Sequence, residues 1–270
     1  MIIIGEKING AIPAVKEAIL NKNDAVIRER VRIQAEAGAH YIDCAPSTAT
    51  EIEYETMVWL INIIQEETDL PICIDSPDAA LLARVIEEGL LNKPGMVNSV
   101  NEEGTKCETI FPLIAGTEWN VIGLTCDKDG IPAQPDKKID IAKSIIDKAV
   151  KYGVDLSRLH IDPCVMALAT MPSAMKDFEA AIKGIHEYAS EVKVCGAISN
   201  ISFQMPARRY INGNCMAYAI AAGLDSAIMD PCDKELMSTV FACEALCMKD
   251  TAGRKYNRAF RQGRLGIQPR

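Results

Sequence analysis

Pro71-Ile72-Cys73-Ile74-Asp75-Ser76 sets the pattern for the whole chain. Its apolar run, bounded by turn residues, reads as a strand buried on both faces, and it stops at a carboxylate. The same design recurs in Ile2 to Glu6, Tyr41 to Asp43, Met96 to Asn98, Leu159 to Asp162, Val194 to Asn200 and Ala227 to Asp230. Each run ends on an acid or an amide, so something polar is assembled at one end of a sheet.

Helical periodicity fills the intervals. Asn23-Asp24 offers an N-cap for a helix that Gly38 stops, and a broad apolar face runs from about Ile52 to Glu67. Ser76-Pro77-Asp78 opens the next helix, with Pro77 expected in its first turn. Further helices are expected over Lys106 to Ile114, Ile139 to Tyr152, Pro172 to Tyr188, Cys215 to Gly223 and Lys234 to Met248, with one more strand from Trp119 to Thr125. About eight strands in alternation with helices fit an α/β fold of the (β/α)8 TIM-barrel type better than an open doubly wound sheet. Neither G-x-G-x-x-G nor G-x-x-x-x-G-K-[ST] occurs. In a barrel the carboxyl ends of the strands share one face, so Glu6, Asp43, Asp75, Asn98, Asp162 and Asn200 would line a single mouth.

The 270 residues, 49% of them hydrophobic, suffice for one large core. We expect a single barrel domain over 1–249 and a basic C-terminal extension over 250–270. The extension holds Arg254, Lys255, Arg258, Arg261, Arg264 and Arg270 against Asp250, a charge of +5 that leaves −13 on the rest. The net charge of −8 speaks against a nucleic acid as partner. Glu6 cuts the first apolar run short of a signal-peptide core, and no run nears the ~18 residues needed to span a membrane. A cytoplasmic protein is expected, with its ten cysteines held as reduced core thiols. Three histidines and few close His/Cys pairs give poor zinc spacing, and the pair Cys243/Cys247 suits core packing. Chemistry without a metal in the barrel is favoured.

Carboxylates and amides that converge without a metal suit a flat, nitrogen-rich heterocycle, whose N–H groups pair with Asp and whose carbonyl and ring nitrogens pair with amides. A pterin is such a molecule. The chain resembles the methyltetrahydrofolate:corrinoid-protein methyltransferases, pterin-binding barrels that are also similar to the folate domain of cobalamin-dependent methionine synthase. The resemblance rests on Gly5-Glu6-Lys7-Ile8-Asn9-Gly10, Ile74-Asp75-Ser76, Val97-Asn98-Ser99-Val100-Asn101, Ile122-Gly123-Leu124-Thr125, Ile161-Asp162-Pro163, Ser199-Asn200-Ile201-Ser202 with Arg208, and Ala222-Gly223-Leu224-Asp225. Lys7 stands where such proteins usually carry Arg, and Cys44-Ala45-Pro46 replaces their Asn-Val-Gly.

The resemblance implies a methyltransferase that moves a methyl group between tetrahydrofolate and the cobalt of a corrinoid (cobalamin) carried by a partner protein, in a direction the sequence does not set. It implies that Asp75 and Asp162 hold the amino and ring N–H groups of the pterin, with Asp43 and Asn200 completing the hydrogen bonding. Glu6, Gly196, Ser199 and Arg208 would add substrate contacts. Asn98 would face the nitrogen that carries the methyl. A homodimer is implied as well. Two other readings compete: a dihydropteroate synthase-like enzyme, which lacks its arginine-bearing loop after Asp43 here, and a folate- or corrinoid-binding protein without catalysis.

Overall fold

The computed structural model describes residues 1–267, and Arg270 of the basic extension lies outside them. The elements follow in the order β1 (Ile2–Gly5), α1 (Pro13–Leu20), α2 (Asp24–Ala37), β2 (Tyr41–Cys44), α3 (Thr50–Glu67), β3 (Ile72–Asp75), α4 (Ala79–Glu87), β4 (Met96–Glu102) and α5 (Lys106–Ile114). Then come β5 (Asn120–Asp127), α6 (Pro135–Tyr152), β6 (Leu159–Asp162), α7 (Ala174–Tyr188), β7 (Lys193–Val194), α8 (Arg208–Ala222), β8 (Ser226–Met229), α9 (Lys234–Leu246) and α10 (Arg254–Arg261). All eight strands are parallel, in the order β7-β6-β5-β4-β3-β2-β1-β8. The expected (β/α)8 barrel is therefore present.

The ring closes at its thinnest point. Strand β7 has two residues, and its joint with β8 consists of Asp225 N–H donating to the Val194 carbonyl at 2.9 Å and Ile228 N–H donating to the Gly196 carbonyl at 3.1 Å. A carboxylate reinforces it: Asp225 Oδ2 accepts from the Val194 N–H at 3.0 Å and lies 3.2 Å from His186 Nε2.

Strand alternation sorts the side chains. Ile42, Ile74, Val97, Val121 and Ile161 point outward into the apolar layer beneath the helices. Ile4, Cys73, Met96, Ile122 and Cys195 form a separate buried cluster within the ring. Also inside are the His160–Ser226 pair, with Nδ1 to Oγ at 2.8 Å, and the Asn120 amide donating to the Tyr41 hydroxyl at 3.1 Å. One step further along the same inward rows come Asp43 of β2, Asp75 of β3, Asn98 of β4 and Asp162 of β6, on the side where the strands lead out of the ring.

Several boundaries differ from expectation. The run Val194 to Asn200 is not one strand: the chain leaves the ladder after Val194 and coils into a 3-10 turn over Ile198–Ser202. Gly196 lies against Phe178, whose ring atom would be 2.8 Å from an added Cβ, so only a residue without a side chain fits there. Pro77 precedes the α4 cap and lies outside its first turn, because Asp78 is the capping residue and accepts from the Ala80 N–H at 2.8 Å. Strand β4 runs on past Asn98 through two register shifts. The basic segment packs on α9: Ala259 and Leu265 are each 2% exposed. Asp250 caps α10 by accepting from the Lys255 and Tyr256 N–H groups, and Arg264 donates to the Ala37 carbonyl at the end of α2. All ten cysteines are unpaired, five of them buried.

Candidate active site at the barrel mouth

A cavity of about 700 Å³ opens at the carboxyl ends of the strands. Among the residues expected to form the site, Glu6, Asp43, Asp75, Asn98, Asp162, Ser199 and Asn200 line it. Two do not. Gly196 packs away from it against Phe178, and Arg208 stands behind it, donating through Nε to Ser202 Oγ at 2.9 Å and through Nη2 to the Ser199 carbonyl at 2.7 Å. Arg208 thus ties the 3-10 turn that presents Ser199 and Asn200 to the start of α8. Asn9, Asn101, Lys106 and Ile131 line it as well. Asn9 and Asn101 stand in the segments Gly5 to Gly10 and Val97 to Asn101 that carry the resemblance, whereas Lys106, at the start of α5, carries no signal of its own in the sequence.

The floor of the cavity concentrates carboxylates with little to neutralise them. Burial pushes the Asp43 carboxyl well above the usual range, the nearby Asp75 charge pushes it further, and the Cys73 thiol and Asn98 amide oppose the shift. One Asp43 oxygen, Oδ1, is buried with no hydrogen-bond partner. Asp75 is raised to about 7, first by burial and then by the charge of Glu53, which itself accepts from Ser76 Oγ at 2.7 Å. Asp162 is raised to about 6 by burial, against the pull of the Cys164 N–H, Lys138 and the Ala197 N–H. Glu6 is raised by burial and by Asp230, while Lys7, paired to Asp230 at 2.6 Å, pulls it down.

Such a floor is poised for a ligand that brings donors. Buried carboxylates without partners are costly, and an N–H edge laid against them returns the hydrogen bonds that folding removed. An ion could do the same, but among the described residues no group of three or more His, Cys, Asp or Glu has the geometry to hold a metal. Leu124, Val165 and Ile131 add an apolar side, which gives a flat ring a surface to lie on.

Residues 14–230 match the family model for pterin-binding enzymes, and the chain belongs to that family. It is 47% identical over 268 residues to the methylcorrinoid:tetrahydrofolate methyltransferase of Eubacterium limosum, with 98% of each chain covered. It is 29% identical over 242 residues to the methionine synthase of Mycobacterium tuberculosis, covering 85% of this chain and 20% of that much longer protein. Among solved structures, a dihydropteroate synthase from Coxiella burnetii in complex with pteroic acid superposes with a TM-score of 0.66 over 92% of this chain and 94% of that one. At 14% identity it shows the fold alone.

Proposed function

We propose that this chain is a methyltransferase that moves a methyl group between a corrinoid and tetrahydrofolate. The observation that carries this reading is the near full-length likeness to the Eubacterium limosum enzyme, whose name puts the methylcorrinoid before the folate, donor before acceptor. The cavity supports it, with carboxylates on the floor, one orphaned carboxylate oxygen and an apolar side wall.

In this reading both the folate and the corrinoid are substrates, the corrinoid arriving on a partner protein. Asp75 and Asp162 accept from the amino and ring N–H groups of the pterin, and Asp43, Ser199 and Asn200 complete its edge. A folate amine takes the methyl from cobalt: the carbon–cobalt bond breaks with its electron pair left on the metal, a nitrogen–carbon bond forms, and the amine proton is released. Positive charge grows at that nitrogen on the way to transfer in either direction. An amide oxygen from Asn98, a side chain nearly buried in the cavity wall, stabilises that charge where it develops. The wide mouth leaves room for a macrocycle to approach from above.

The test is turnover: purified protein with methylcobalamin and tetrahydrofolate should yield methyltetrahydrofolate and reduced cobalamin, followed by the cobalamin spectrum. Tight folate binding with no transfer to or from any corrinoid would favour the non-catalytic binding protein. Formation of dihydropteroate would favour the synthase.

A homodimer is part of the proposal. It is supported by the apolar groove of about 300 Å³ between α7 and α8, where Tyr210 and Tyr218 are largely exposed. Sedimentation at micromolar concentration is expected to give twice the 29.5 kDa chain mass, and a monomer would refute it. A cytoplasmic setting accords with the unpaired cysteines, and no helix among the described residues is long and apolar enough to cross a membrane.

A further inference from the structure

Among the described residues Lys138 is the one buried lysine, at 1% exposure, and nothing in the transfer chemistry has used it. It projects from the first turn of α6 toward the loop that follows β6. There Nζ donates to the Cys164 carbonyl at 2.8 Å. The same residue's N–H donates to Asp162 Oδ1 at 2.7 Å. A single residue, Cys164, therefore separates a buried ammonium from a carboxylate on the cavity floor.

An ammonium placed in a low-dielectric interior with a neutral carbonyl as its hydrogen-bond partner is unfavourable unless a negative charge lies close by. The carboxylates that face Lys138 are Asp162, at the end of β6, and Asp177, on α7. Around Asp162 itself stand the thiols of Cys164 and Cys195 and the N–H groups of Cys164 and Ala197, with Cys126 of β5 facing Cys164. Lys138 is the sole cation in that company. We infer that Lys138 is a positioning residue for Asp162: it fixes the loop through the Cys164 carbonyl so that the Cys164 N–H meets the carboxylate, and its charge keeps Asp162 in the ionised, hydrogen-bond-accepting form. The inference rests on the proposed role of Asp162 in folate binding. The balance of forces at the carboxylate agrees, since burial raises its proton affinity and Lys138 opposes that rise.

The sign follows from the charge. Binding needs the carboxylate form, so affinity falls on the acid side of the Asp162 midpoint, and loss of a neighbouring cation moves that midpoint up by about one to two pH units. In Lys138→Met, methyltetrahydrofolate affinity at pH 6 should drop about tenfold and converge on that of the wild type by about pH 9, where Asp162 is ionised in both. Damage to the fold would instead weaken binding at every pH.

The deciding experiment pairs calorimetric affinities across this range with a carbon-13 NMR titration of the Asp162 carboxyl in the ligand-free protein, assigned through Asp162→Asn. The expected result is an upward move of the NMR midpoint together with the acid limb of binding. A midpoint that stays put in Lys138→Met overturns the inference, whatever binding does. A midpoint that moves while affinity does not follow overturns the role given to Asp162 in folate binding, and the positioning role with it. If the Met variant does not fold, Lys138→Gln serves with the same expectation. Lys138→Arg, which keeps the charge, should restore the wild-type limb.

Discussion

Asn98→Ala is expected to lower kcat for methyl transfer by about 10² to 10³, while folate affinity changes no more than a few fold. The asymmetry comes from when the charge appears. A bound folate presents a neutral amine, to which an amide oxygen adds little, and only as the methyl moves does the nitrogen become positive and reward a fixed dipole. Asn98 is well placed to be fixed: it is 7% exposed and paired in the sheet with Asp75 and Ile122. Its amide also lies against the Asp43 carboxyl. Single-turnover stopped-flow at saturating folate reads the rate, and a melting curve reads the fold. A normal rate with a lowered melting temperature would mean that Asn98 only supports the strand end.

The second large effect concerns Asp75 and carries two signs. Replacing it with Asn, or making the same change at Asp162, turns an acceptor into a partial donor facing ring N–H groups, so folate binding should weaken by more than ~1.5 kcal/mol, over tenfold in Kd. Without ligand the same change at Asp75 should help. Its carboxyl has a folded pKa of about 7 against an ordinary 3.8. What the protonated group contributes to stability is thus fully present below about pH 4 and lost as pH rises through 7. At pH 8 the charged group is buried at a cost, which Asn does not incur. A shift of this size corresponds to about 4 kcal/mol at most, and solvent in the open cavity above the carboxyl halves it, to about 2 kcal/mol. The melting temperature of ligand-free Asp75→Asn should therefore match that of the wild type near pH 4 and exceed it at pH 8. Unchanged folate affinity in both Asp variants, measured by calorimetry, would refute the binding assignment.

Much of this was legible from strand ends. A short, unbroken apolar run closed by Asp or Asn puts the acid or amide where a strand ends, and in a barrel those ends share one face, so the sequence alone places Asp43, Asp75, Asn98 and Asp162 at one mouth. What escaped has a physical reason in each case. Helix α1 is eight residues long and was not expected, although Pro13 at its start and buried Val15, Ala18 and Ile19 carry its pattern. The seventh strand was overextended, because periodicity cannot tell a ladder from a turn whose polar groups are met by an arginine nine residues away. Arg208 is expected as a substrate contact by resemblance, and the sequence does not reveal that its hydrogen bonds run to the Ser202 hydroxyl and the Ser199 carbonyl. Lys138 could not be picked out at all, since a lysine on an amphipathic helix normally faces water, and only the packing of α6 against the loop after β6 puts this one inside.

The short joint between β7 and β8 makes the ring mechanically uneven. Five of the other neighbouring pairs share ladders of three or more register pairs, so opening them requires several backbone hydrogen bonds to break together, while β1–β2 and β6–β7 share two. At this seam, two backbone bonds and one carboxylate hold the ends, and the His186–Asp225 contact strengthens on the acid side, where the imidazole gains its charge. Local opening is least costly there, and amide hydrogens of Val194, Asp225 and Ile228 are the sheet positions where exchange with solvent should begin. The segment hung from that seam carries Ser199 and Asn200, so one side of the mouth can breathe while the wall bearing Asp43, Asp75 and Asn98 stays rigid. A bulky second substrate would then find its clearance on the β7 side.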